Sequence, residues 1–136
     1  MMRVVIDTNV LISSLFWGGA PRRVVDLAAG GHFQALTSPE LLAELEAVLA
    51  ESFGFPQEKL DLVLRDILSY AEVVTVLEEP EIPVRDLSDI KVLACAIAGH
   101  ADCIVTGDQD LLVLNAVRDL RTLTVRTFLD AHSWPD

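Results

Sequence analysis

The sequence predicts an α/β domain, with a five-stranded parallel sheet covered by helices on both faces in a three-layer α/β/α arrangement. Three observations predict it. Short apolar runs alternate along the chain with stretches of helical periodicity, and strands that alternate with helices imply parallel pairing. The runs are continuously apolar rather than alternating, as expected of strands buried on both faces. The chain of 136 residues, 51% hydrophobic and 23% charged, matches a single globular domain over 1–136 with enough surface to bury one sizeable core.

The elements follow in order. Arg3–Ile6 (RVVI) is a β-branched run that ends at Asp7. A helix from about Val10 to Phe16 stops at Gly18-Gly19, and Pro21 sits in the first turn of the next, which runs to Gly30-Gly31. Phe33–Thr37 is the second strand. Ser38-Pro39-Glu40 places an N-cap, a proline at N1 and an early acid at the head of a helix reaching about Glu51. Leu60, Leu64, Ile67 and Leu68 repeat at helical spacing within about Gln57–Ala71. Glu72–Val76 is the third strand, and the proline- and acid-rich segment 78–87 reads as a loop. Ser88 caps a helix over Asp89–Ala98 that Gly99 ends. Cys103–Thr106 and Thr122–Val125 are the last strands, and a short helix, Thr127–His132, closes the chain.

Charge narrows the function. Ten Lys+Arg against 21 Asp+Glu give a formal net charge of −11. Such a balance opposes nucleic acid and anionic membrane surfaces as partners, because phosphate binding rests on Lys and Arg. The exception is a carboxylate cluster whose charge bound divalent cations cancel. Cys95 and Cys103 lie in apolar runs with no CxxC, as expected of buried thiols. MMRVVIDTNV is too short an apolar stretch for a signal peptide, and no run approaches a membrane span, so a cytoplasmic location is expected.

In an open parallel sheet, ligands bind beyond the carboxyl ends of the strands. Asp7 follows the first strand there, and Asp108 follows the fourth, with Asp110 two residues on. Either acid alone is equally well explained as a helix cap or a Gly-Asp turn; two at one edge favour a site. On the helix from Pro39, Glu44 lies about 60° from Leu41 and about 40° from Val48, at the border of the apolar stripe and half turned towards the core. Asp89 opens a helix that buries Ile90, Leu93, Ala94 and Ile97, and Asp86 lies just upstream; spacing does not choose between them. Converging carboxylates repel unless a cation is present, and an all-oxygen set suits Mg²⁺ or Mn²⁺ better than Zn²⁺. His32, His100 and His132 are scattered. No phosphate-binding glycine loop or GxSxG elbow occurs.

The segments VIDTNVLIS (5–13), TSPELLAEL (37–45), RDLSDIKVLA (85–94) and ADCIVTGDQDLL (101–112) together resemble the PIN-domain ribonucleases, and most closely the VapC-like toxins of prokaryotic type II toxin–antitoxin pairs. The resemblance implies a metal-dependent ribonuclease whose catalytic, Mg²⁺- or Mn²⁺-binding acids are Asp7, Glu44, Asp89 and Asp108, with Asp110 a further ligand. It implies supporting roles for Asn9, Thr106 and Asp86. Ile90 departs from relatives that carry a polar residue after the matching acid, which throws weight onto Asp89. Flanking phosphates are expected on Arg22, Arg23, Arg85 and Lys91. An RNA substrate, a cognate antitoxin and a homodimer are the partners implied, the last through Phe16-Trp17 and Phe53/Phe55, with no membrane.

Two alternatives stand beside this. A haloacid-dehalogenase-like phosphatase needs D-x-D, and Asn9 occupies the second place. A non-catalytic acidic α/β interaction module would use its carboxylates only as caps and would need no metal.

Overall fold

A computed structural model describes residues 1–78, 80–81, 87–114, 116–117 and 119–135 of the chain, without the side chains of Leu87, Ser88, Ala116 and Val117. The elements are β1 (Arg3–Ile6), α1 (Thr8–Phe16), α2 (Gly19–Ala29), β2 (Gln34–Thr37), α3 (Pro39–Phe53), α4 (Gln57–Tyr70), β3 (Ala71–Val73), α5 (Leu87–Ala98), β4 (Cys103–Val105), α6 (Gln109–Leu112), β5 (Ala116–Val117), β6 (Leu120–Leu123) and α7 (Val125–Asp130).

The sheet order is β3-β2-β1-β4-β6-β5. The five strands expected from the sequence, β3, β2, β1, β4 and β6, pair in parallel, and β5 adds a two-residue antiparallel edge. From β1 the chain winds outward through β2 to β3, then returns to pair β4 on the other side of β1. That reversal makes the gap between the carboxyl ends of β1 and β4 the topological switch point.

The pleat sorts the core. Val4 and Ile6 of β1, Ala35 of β2, and Cys103 and Val105 of β4 face one cluster, with Val10, Val24, Leu27 and Phe128 from α1, α2 and α7. Val5, Leu36 and Ile104 face the opposite way, onto Val92, Leu93 and Cys95 of α5. A third cluster joins α1, α3 and α4 through Ile12, Leu45, Leu49, Leu60 and Ile67. Both thiols are buried, which pushes each up to about 12. No helix among the described residues is long and apolar enough to cross a membrane.

Several boundaries move for local reasons. β3 ends at Val73 rather than Val76, because its partner β2 stops where Ser38 begins to cap α3 by accepting the Leu41 N–H. Only the Val74 N–H continues, donating to the Thr37 carbonyl at 2.7 Å. The last strand and helix each lie about two residues earlier than expected, since Thr124 takes the N-cap and its hydroxyl accepts the Thr127 N–H at 3.0 Å. The four-residue α6 and the two-residue β5 were not anticipated; segments that short carry no readable period. Most of the expected 78–87 loop lies outside the described residues.

At the amino edge of the sheet, Arg3 forks onto Glu72, with its Nη2 2.7 Å from Oε2, and its Nε donates to the Gly99 carbonyl at 2.9 Å. These bonds tie β1 to β3 and to the end of α5, at the end of the strands opposite the acids.

Candidate metal centre at the carboxyl edge

Register places the first acid. Ile6 of β1 pairs with Val105 of β4, so the residues that follow, Asp7 and Thr106, emerge side by side. The Asp7 N–H donates to the Val105 carbonyl at 2.9 Å, the last bond of that ladder. The Thr106 hydroxyl donates to Asp7 Oδ2 at 2.6 Å and accepts the Asp108 N–H at 3.0 Å. Thr106 is fully buried, and Asp7 is 7% exposed.

The helix-cap explanation separates the two edge acids. Asp7 stands at the N-cap of α1, but its carboxylate makes no capping bond. Asp108 does cap: its Oδ1 accepts the Asp110 N–H at 2.8 Å at the start of α6.

The three acids Asp89, Asp108 and Asp110 each present one carboxylate oxygen within 4.8 Å of the others. Asp89 is 3% exposed, while Asp108 and Asp110 are half-buried. Three oxygen donors that close, one of them buried and with no sulfur or imidazole in the group, fit a hard divalent cation.

Glu44 does not belong to that trio. It is half-buried, as its place at the stripe's border suggested, and its Oε2 accepts the Thr8 hydroxyl at 3.0 Å. Asp7 connects the two groups electrostatically. Burial pushes its carboxyl above the ordinary value, the Thr106 hydroxyl and the Thr8 N–H pull it back, and the charges of Glu44 and Asp108 push it up again.

The remaining sequence candidates spread out. Asn9 is exposed on the first turn of α1 and shares a cleft with Thr106. Arg22 is paired with Asp26 one turn along α2, at 3.0 Å. Lys91 lines a different groove, beside Glu40 and Glu78. Arg23 lines a cleft with Arg126. Arg85 and Asp86 lie outside the described residues. Sequence reasoning missed Thr8 and Arg126. Thr8 had a signal in its place between Asp7 and Asn9; Arg126 had none.

Fold and site together define a doubly wound α/β domain with a carboxylate cluster at its switch point. The sequence pattern of the PIN-domain family matches residues 3–110, and the chain belongs to that family. Two solved structures share the fold. VapBC2 from Rickettsia felis, bound to a DNA fragment from their promoter, superposes with a TM-score of 0.66 at 18% identity, covering 90% of this chain and 98% of that one. The PIN domain of T. brucei RRP44 superposes with a TM-score of 0.55 at 14% identity, covering 96% of this chain and 78% of that one. A comparison with curated protein sequences finds no match.

Proposed function

We propose that this protein is a metal-dependent ribonuclease that hydrolyses RNA phosphodiester bonds, using Mg²⁺ or Mn²⁺, and is the toxin of a type II toxin–antitoxin pair. The observation that carries the reading is the trio Asp89, Asp108 and Asp110 at the switch point, with Asp7 tied beside it through Thr106. Members of the family are nucleases, and the likeness to VapBC2 supports an antitoxin as partner. The exposed aromatic patch where Phe16 stacks on Phe53 at 4.5 Å, beside Trp17 at 78% exposure, is the surface we assign to a homodimer.

Asp89, Asp108 and Asp110 would hold the cation, with Glu44 and Asp7 completing the acidic wall. A bound divalent ion supplies charge neutralisation for the phosphodiester and lowers the pKa of attacking water. Thr106 fixes Asp7 through Oδ2, which sets the rotamer of a buried carboxylate before substrate arrives. Thr8 orients Glu44 in the same way through Oε2.

The test is incubation of a mixed RNA pool with Mn²⁺ or with EDTA, alongside Asp7→Asn and Asp108→Asn. Cleavage that requires metal and disappears in both variants is expected. Cleavage surviving either substitution would assign the activity to another site. The capping bond of Asp108 is also what a non-catalytic module would make, and metal separates the two, since caps gain nothing from Mn²⁺.

A further inference from the structure

A highly acidic chain that cuts RNA needs cations placed where the flanking phosphates run. Among the described residues the ion pairs are Arg3–Glu72 at the amino edge and Arg22–Asp26 on α2, and Lys59 lies over the Phe55 ring. Arg126, in the first turn of α7, is exposed and belongs to neither pair. It lines two adjoining clefts. One, about 300 Å³, also has Asn9, Ser13, Thr106 and Gly107 on its lining, and Thr106 bonds both Asp7 and Asp108. The other, about 650 Å³, has Arg23, Asp130, His132 and Trp134 on its lining.

The second cleft has fixed walls. The Arg23 guanidinium donates to the Pro135 carbonyl, which anchors it at the lining. The His132 ring packs 5.1 Å from Trp134 and 5.7 Å from Phe128, with its Nδ1 3.3 Å from the Phe128 carbonyl. Trp134 in turn packs against Phe128 and Phe33 of the core.

We propose that these clefts form a nucleotide subsite for single-stranded RNA beside the cleavage centre, with Arg126 as its positioning residue. The proposal rests on the ribonuclease reading above. The strand leaves the acids over Thr106 and Asn9, Arg126 holds the next phosphate, and the following nucleotide enters the larger cleft. There Arg23 meets its phosphate and its base packs on the His132–Trp134 wall. A guanidinium fork matches phosphate geometry in two hydrogen bonds, and an aromatic wall accepts a base only when it is unstacked, which selects single strands. The larger cleft is open to solvent along one side, as a groove that a strand enters must be. Asp130 would repel a phosphate placed beside it, which leaves the phosphate contacts to the two arginines.

The experiment has two arms. Anisotropy with a labelled single-stranded RNA pool of about 12 nucleotides, in Ca²⁺, reads binding and its salt dependence. Cleavage of the same pool in Mn²⁺ reads activity. Arg126→Ala is expected to weaken binding about tenfold and to flatten the log–log salt slope by about 0.7, with KM raised, kcat little changed and Tm unaltered. Arg126→Lys should restore the slope and only part of the affinity. Arg23→Ala should behave like Arg126→Ala, and Arg65→Ala, on the exposed side of α4, like the parent. If the parent binds and cleaves while both cleft variants match it in affinity and slope, the subsite is overturned and the ribonuclease reading stands. If the parent neither binds nor cleaves the pool, both fall. Lost affinity with an unchanged slope also overturns the subsite.

Discussion

The Thr106 hydroxyl donates to Asp7 Oδ2 at 2.6 Å and accepts the Asp108 N–H at 3.0 Å, so one buried oxygen connects two acids about a hundred residues apart in sequence. Removing it leaves two polar groups short of a partner inside the fold. Thr106→Val is therefore expected to cost about 1–3 kcal/mol in chemical denaturation. It also removes a bond that holds the Asp7 pKa down, so the acidic limb of the cleavage pH profile should move to higher pH. Thr106→Ser keeps the hydroxyl and should return the limb towards its original place.

Asp7 is a buried carboxylate whose ionised form the fold disfavours, chiefly through burial and further through Glu44 and Asp108. Between the ordinary value of 3.8 and the raised folded value, the folded chain binds more protons than the unfolded one. Stability in EDTA therefore falls as pH rises through that window, and the cost persists above it. Asp7→Asn removes the cost while its amide oxygen can still accept from Thr106. The variant should melt a few degrees higher than the parent at neutral pH, with the gain vanishing below 3.8, while cleavage is lost. A variant less stable than its parent at neutral pH would contradict this account.

Metal should act on the trio rather than on the chain at large. With Mn²⁺ at about 100 times its Kd, stability is expected to rise by about 2.7 kcal/mol, read as an increase in Tm over the EDTA value. Asp89→Asn and Asp108→Asn should each abolish most of that increase. An increase that both variants retain would place the ion elsewhere.

Gly99 tests the fold independently of the site. It follows α5, and a Cβ there would lie 2.9 Å from both Leu36 Cδ1 and Val74 Cγ2 and 3.1 Å from the Cys95 carbonyl. Gly99→Ala should destabilise the protein by about 1–3 kcal/mol through overpacking. Metal-induced stabilisation should be unchanged, since Gly99 sits at the amino edge where Arg3 bonds its carbonyl.

Both thiols should be silent in the folded chain. Burial pushes Cys95 and Cys103 up to about 12, so neither forms thiolate at neutral pH. Alkylation by iodoacetamide, followed by mass, should label neither until denaturant is added.

The sequence by itself determined the layered α/β class, the five parallel strands and the acids at their carboxyl ends. It could do so because a strand buried on both faces must be apolar throughout, and because a polar residue directly after such a run has one edge to occupy. Asp7, Asp108 and Asp110 were legible for that reason, and Glu44 from its angle on one helix. Tertiary structure decided how the acids group. Parallel pairing of Ile6 with Val105 puts Thr106 against Asp7, and the approach of α5 to the end of β4 makes Asp89, rather than Glu44, the neighbour of Asp108 and Asp110. It likewise set Arg126 beside Thr106. No pattern within one element carries such contacts, because they depend on strand register and helix packing between segments far apart in the chain.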